Sequence, residues 1–294
     1  MTDSQGTRVT ANNVVIDGFA IQDSINGAFT GYGISMGAGT TGTQILNNII
    51  RNNIIGIGLA NTGATQVLIR HNLIENNNQP GPSSGTGIYT DQFVCGTPCS
   101  NFLVDENNFK GNNDAGIFIS NTDLPNPLTN LDVSANSFDN NERGVGLINT
   151  DMSTIHDNSI TNSTFVGSAA IRIFDSVNNL TILNNDLNGG LGHAIRLSFS
   201  RVVGGPSSNV VFHENNIGFV GPASFVLDGL LVDPGSHVGT VDAECNWWNS
   251  PTGPTNPNNP GGTGEEVVGD ADFTPWLTSP APKGACVGGA TPGK

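Results

Sequence analysis

Apolar and polar positions along the chain fall into one repeating phrase: an apolar residue, any two residues, Asn, any residue, then apolar again. It reads Ile45, Asn48, Ile50; Ile69, Asn72, Ile74; Val104, Asn107, Phe109; and Val133, Asn136, Phe138. It continues as Ile155, Asn158, Ile160; Ile182, Asn185, Leu187; Phe212, Asn215, Ile217; and Ala243, Asn246, Trp248. The eight Asn lie between 22 and 35 residues apart. A period of that length marks a stack of similar units, each burying its apolar face only against its neighbours. A second phrase accompanies the first: a small residue followed by alternating apolar positions, as in Gly33-Ile34-Ser35-Met36, Gly116-Ile117-Phe118-Ile119 and Ala194-Ile195-Arg196-Leu197. Period two is a strand signal, and no segment carries a helical apolar period.

Two or three short strands per unit, separated by Asn and Gly turns, are spaced too widely for hairpins. They form parallel sheets if each unit is one full turn of a wide coil. The expected fold is therefore all-β, a right-handed parallel β-helix of about nine coils, roughly 40 Å long at ~4.8 Å per coil. The phrase Asn is expected in the tight turn between two inward residues, in the left-handed conformation that Asn tolerates. Its amide can bond to the equivalent Asn one coil away, as in a stacked Asn ladder. The first coil puts Phe19 at that position. The 35-residue step between Asn72 and Asn107 carries an insertion, read as loops at 79–85 and Cys95 to Cys99.

Composition narrows the partners. The net charge is −15, with 10 Lys plus Arg against 25 Asp plus Glu. Nucleic acid and anionic membrane surfaces both require a basic field and are disfavoured. No apolar run is long enough to span a bilayer, and no signal peptide opens the chain. Of the three possible pairings of four Cys, Cys95 with Cys99 and Cys245 with Cys286 are favoured, with free thiols the alternative; both disulfides suit an exported protein. The expected setting is extracellular or cell-surface. The helix and its aromatic C-terminal end (about 246–277, holding all three Trp) are read as one domain over 1–277, and 278–294 as a linker-like tail. With no aromatic element at the N-terminal end, a capping segment or domain is expected to precede this chain in a longer protein.

The Ile-x-x-Asn-x-Ile coils, the opening Val15-Ile16-Asp17-Gly18-Phe19-Ala20-Ile21, and the Asn246-Trp247-Trp248-Asn249-Ser250-Pro251 and Pro275-Trp276-Leu277 ending resemble the right-handed parallel β-helix (pectin-lyase-like) proteins of bacterial surfaces. That resemblance implies the fold over nearly the whole chain. It implies little about activity, since the superfamily holds lyases, polygalacturonases, epimerases, tailspikes and non-catalytic adhesins.

Outward positions of the Gly-Ile sheet stack in the order Ser35, Gly58, Tyr89, Phe118, Gly146, Arg172, Arg196, Leu231. The next outward row is Gly37, Ala60, Asp91, Ser120, Ile148, Phe174, Ser198, Asp233. Aromatic faces stack on sugars and Arg pairs suit carboxylates, so Tyr89, Asp91, Phe118, Arg172 and Arg196 are the candidate polysaccharide-binding residues. The alternative is an ordinary exposed face with each Arg paired to a nearby Asp. Polygalacturonases carry Asn-Thr-Asp, Asp-Asp, Gly-His-Gly and Arg-Ile-Lys, and this chain is similar in order at Asn149-Thr150-Asp151, Asp175 and Gly192-His193-Ala194. Asp151, Asp175 and His193 are thus the catalytic candidates, and carboxylates one or two coils apart suit glycoside hydrolysis. The likeness stops at a single Asp175, at Ala194, and at the absence of Arg-Ile-Lys. Asn61-Thr62, Asn121-Thr122-Asp123 and Asp175-Ser176 also share the post-strand position of Asn149, which favours a repeated Asx turn. A lyase base is harder still to find, Lys110 being the only Lys in the coils. The functional expectation is a secreted β-helix contacting polysaccharide or cell-surface glycan, as a hydrolase sooner than a lyase if catalytic. The alternative is a structural stalk or adhesin module. No cofactor is expected, with a structural calcium ion in an acidic turn left open.

Overall fold

The computed structural model describes residues 6–25, 31–199, 204–218 and 228–287. Over these, the chain winds through three parallel sheets in turn. The first contains, among others, Tyr32–Met36, Ile55–Gly58, Thr86–Thr90, Ala115–Ser120, Arg143–Ile148, Ala169–Ile173, His193–Leu197 and Leu230–Val232. The second runs from Val15–Asp17 to Ala271–Asp272, and the third from Ala20–Gln22 to Asn216–Gly218. Each strand pairs in parallel with its equivalents one coil before and one coil after. Parallel pairing needs a crossover, and here the other two sheets of the coil supply it.

The alternating pattern fixes which side faces in. Ile34, Ile57, Ile88, Ile117, Val145, Ile171 and Ile195 stand in direct register down the first sheet, and all are buried. Phe109 and Phe138, from the third sheet, stack face to face inside at 4.6 Å. One continuous core runs from Val9 to Phe273 and takes in the fully buried Trp248.

All eight phrase Asn form one ladder at the corner between the second and third sheets. Each Nδ2 donates to the Oδ1 of the next coil's Asn at 2.9–3.0 Å, from Asn48 through Asn246. The backbone N–H of each donates to the same oxygen, and Phe19 N–H closes the N-terminal end on Asn48 Oδ1. The left-handed residue is, however, the one before the ladder Asn: Asn47, His71, Glu106, Ala135, Asp157, Asn184, Glu214 and Cys245 all have φ of 52–57°. The expected left-handed Asn is corrected accordingly. The turn at the preceding residue swings the Asn side chain inward, so Asn is chosen here for its two-sided amide. A second ladder, not anticipated from the sequence, lines the corner between the third and first sheets: Asn53, Asn77, Asn112 and Asn141, at 2.9–3.1 Å.

Cys95 is bonded to Cys99 and Cys245 to Cys286. The first closes a loop that opens with the short helix Gln92–Cys95, capped by Asp91 Oδ1 on the N–H groups of Phe93 and Val94. The second ties the last ladder turn to the tail, where Cys286–Val287 pairs antiparallel with Trp276–Leu277. Asn216 holds the intervening chain through Ala281.

Candidate functional site

The register places the outward row of the first sheet in the order read from the sequence. Ser35, Gly58, Tyr89, Phe118, Gly146, Arg172, Arg196 and Leu231 are successive Cα partners. The two Gly positions are not gaps. A Cβ at Gly58 would lie 2.9 Å from the ring of Tyr32, and one at Gly146 2.9 Å from Phe118 and 3.2 Å from Arg143 Cδ. Tyr32 and Arg143 sit at the leading ends of their strands and fold over the neighbouring Gly. The absence of a side chain at Gly58 and Gly146 makes room for them.

The result is a continuous cluster in which Tyr32, Phe118 and Phe174 are half-buried at the surface and Tyr89, only 8% exposed, lies beneath them. Tyr32, Ile54, Ile55, Tyr89, Val94 and Phe118 form a small apolar cluster separate from the core. Tyr89 and Phe118 meet edge to face at 6.3 Å, and Phe118 and Phe174 at 6.1 Å. The Arg143 guanidinium lies 5.3 Å from the Phe118 ring centre and that of Arg172 4.8 Å from Phe174, a favourable placement against the electron-rich face. At the N-terminal end of the row, Arg8, Tyr32, Ser35, Asp91, Phe93 and Val94 line a cavity of about 500 Å³. Phe93 is 84% exposed at its rim. Tyr89 donates its hydroxyl to Asp91 at 2.9 Å. Burial first, and then the nearby Asp91 charge, push both the Tyr32 and Tyr89 hydroxyls above their usual range, so both stay neutral donors.

The three Arg differ in their partners. Arg143 binds Asp114 at 2.9 Å and Glu142 at 2.5 Å. Arg196 binds Asp233 at 2.9 Å and the Gly167 carbonyl at 2.9 Å. Arg172, between them, makes a 3.4 Å hydrogen bond to Ser198 Oγ and has no ion pair among the described residues. Burial, with Arg196 and Arg143 adding repulsion, lowers it to about 10. The pairing expected for both Arg under the alternative reading thus holds for Arg196 only.

Of the catalytic candidates, Asp151 and Asp175 lie outside the first sheet, and His193 leads the strand that carries Arg196. Asp151 stands at the start of strand Thr150–His156 in the second sheet, where its Oδ1 accepts from Asn179 Nδ2 at 2.7 Å and Met152 N–H at 2.9 Å. Asp175 is buried in the turn from the first to the second sheet, and its carbonyl accepts from Asn149 N–H. His193 leads its strand, buried against Asp228, with Nδ1 3.1 Å from Oδ2. The Asx turn proposed for the post-strand positions is present at Asn121, whose Oδ1 accepts from Asp123 N–H. At Asn149 the amide instead crosses a coil to the Asp123 carbonyl. Among the described residues, no group of three or more His, Cys, Asp or Glu could hold a metal ion.

Arg143 and Tyr32 were missed because strict alternation counted back from Val145 and Ile34 points them inward. A charged side chain two positions before a buried Val was the available signal, since an interior Arg would need a buried partner.

A model for a right-handed beta helix region matches residues 3–160, more than half of the chain. The chain belongs to the right-handed beta helix family. No curated protein matches the sequence. Among solved structures it is similar to the enzymatically active domain of tailspike protein 2 of bacteriophage CBA120, at 14% identity and a TM-score of 0.45. Full-length tailspike protein 2, from a bacteriophage of Escherichia coli O157:H7, gives the same identity and score. The match takes in 92% of this right-handed beta helix chain but only 47% and 42% of those two chains. No helix among the described residues is long and apolar enough to cross a membrane.

Proposed function

We propose that this right-handed beta helix protein contacts polysaccharide along the outer face of its first sheet, in an extracellular or cell-surface setting. The observation that carries this reading is the unbroken aromatic-to-Arg row from Tyr32 to Arg196, built over two Gly that leave space for it. Flat aromatic faces match the apolar faces of pyranose rings, and the flanking polar groups supply hydrogen bonds to hydroxyls. The two disulfides support an oxidising setting.

Binding is better supported than hydrolysis. Asp151 is engaged by two donors, Asp175 is buried, and His193 is held by Asp228. The test is a panel of neutral and uronic polysaccharides read three ways: retention, reducing-end release, and absorbance of unsaturated products. Retention without release is the expected result. Absence of retention across the panel would overturn the reading in favour of a structural stalk. If release occurs, Asp151→Asn and Asp175→Asn assign it: abolition makes those carboxylates catalytic, and an unchanged rate leaves them as turn residues.

A further inference from the structure

Resting on that reading, we propose that Arg172 seats one carboxylate of the glycan. The ligand would then be a heteropolysaccharide carrying an isolated acidic sugar among neutral ones, rather than a polymer charged at every residue.

Arg172 and Arg196 are direct register partners, and Arg143 lies over Gly146, the partner of Arg172 on the other side. Like charges so placed repel unless each has a counter-charge. Arg143 has Asp114 and Glu142, and Arg196 has Asp233. Arg172 has none among the described residues, and burial first, then repulsion from Arg196 and Arg143, depresses its basicity. A guanidinium carries five N–H donors, and among the described residues only the long bond from Nε to Ser198 uses one. Contact with the Phe174 ring restricts its plane, and a guanidinium so oriented suits a planar two-oxygen acceptor.

The surroundings limit the ligand to an isolated charge. Towards the N-terminal coils the row becomes Phe118, Tyr89 and Tyr32, ending at Asp91 beside the cavity. Towards the C-terminal coils lies Asp233, and Asp114 and Glu142 flank Arg143. A chain with an acid on every sugar would set carboxylates against these acids in a protein of net charge −15. Neutral sugars meet the rings there and can donate hydroxyls to the same acids without repulsion.

Two measurements on the whole chain test this. In the first, Arg side-chain Nε–H resonances are followed by NMR during titration with methyl glucuronoside or methyl glucoside. The Arg172 resonance, assigned by its loss in Arg172→Met, should move with the acid and not with the neutral sugar. No selective movement overturns the site, whether or not any polysaccharide is retained. In the second, each acidic polysaccharide that the panel retains is compared with its carboxyl-reduced form and with polygalacturonate. The native polymer should bind roughly tenfold or more tightly than the reduced one, as for a charged hydrogen bond. In Arg172→Met the ratio of native to reduced binding should fall to near one, whatever the variant's affinity for the reduced polymer. Equal binding of native and reduced polymers, or polygalacturonate binding as tightly as a sparsely charged polymer, overturns the proposal. Neither result touches the aromatic contact with neutral sugars, so the broader reading stands or falls separately on retention.

Discussion

Two regions of this coil sit on the same lattice and use it in opposite ways. At the corner between the second and third sheets, eight coils place the same Asn in the same bond, with distances that vary by about 0.1 Å. On the outer face of the first sheet, eight coils place Ser, Gly, Tyr, Phe, Gly, Arg, Arg and Leu at one position. The corner is sealed from solvent, with every ladder Asn 2% exposed or less, so each amide must find its partners within the protein, in the Asn one coil away and in neighbouring backbone groups. The outer face is free of that demand, and its residues can vary without affecting how the coils stack. The repeated positions therefore build the rod, and the varied ones distinguish one stretch of it from another.

The sharpest way to break this contrast is to cut the ladder in its middle. Asn107→Ala strands the carbonyls of Ile69 and Asp105 and the N–H of Asn72, all buried partners of its amide. A loss of about 4 kcal/mol or more is expected in urea denaturation, from several orphaned groups at ~1–3 kcal/mol each. A loss below ~1 kcal/mol would mean that the ladder is decoration.

The two faces of the first sheet offer a second comparison. At Gly116 an added Cβ would meet Phe138 at 2.4 Å inside the core, so Gly116→Ala should destabilise by about 1–3 kcal/mol. At Gly58 it would meet only the outer ring of Tyr32, which can swing aside, so under ~1 kcal/mol is expected by the same melt. Similar losses at the two positions would show that the outer cluster is as tightly packed as the core.

Within the outer face, a double-mutant cycle of Phe118→Ala with Arg143→Met should give a coupling of about 0.5–1 kcal/mol, the usual size for a cation over a ring. Zero coupling would reduce the row to adjacent but independent side chains.

The smallest effect concerns the second sheet's surface. His156 lies 2.6 Å from Asp157 and 3.1 Å from Asp132. Burial works against its charge, but the hydrogen bond to Asp157 and the two acids raise its pKa above 6.5, and the same bond lowers that of Asp157. A raised folded-state pKa gives stability that is present below the unfolded value and lost as pH rises through the folded one. The lowered Asp157 contributes above the usual carboxylate range and loses its share in acid. The melting temperature of the parent relative to His156→Gln should fall between pH 6 and 8, a difference worth under ~1 kcal/mol for so exposed a pair. A rise over that interval would contradict the assignment.

Much of this was legible from residue spacing, and the misses have local causes. The second ladder was available five positions after the first, at Asn53, Asn77, Asn112 and Asn141, and it ends where Ser163 and Gly190 take that place. It was overlooked because the strands between are only three residues long, too short for alternation to show a second corner. His193 and Asp228 are 35 residues apart and share no phrase, so their contact follows only from the coil closing on itself. Asp91 reads as a groove acid in sequence, yet it also caps a helix of four residues that carries no periodic signal.

The sequence by itself determined the coil, its register and the order of residues along each outward row, because burial and backbone pairing act at fixed intervals along the chain. It also determined the ladder, since one Asn at the same place in every coil puts each amide within reach of the next. Only the tertiary structure decided how the outward side chains lean, which acids Arg143 and Arg196 take, and that Arg172 takes none among the described residues. Those choices depend on contacts between coils and on the space left by Gly58 and Gly146, which no interval in the sequence encodes.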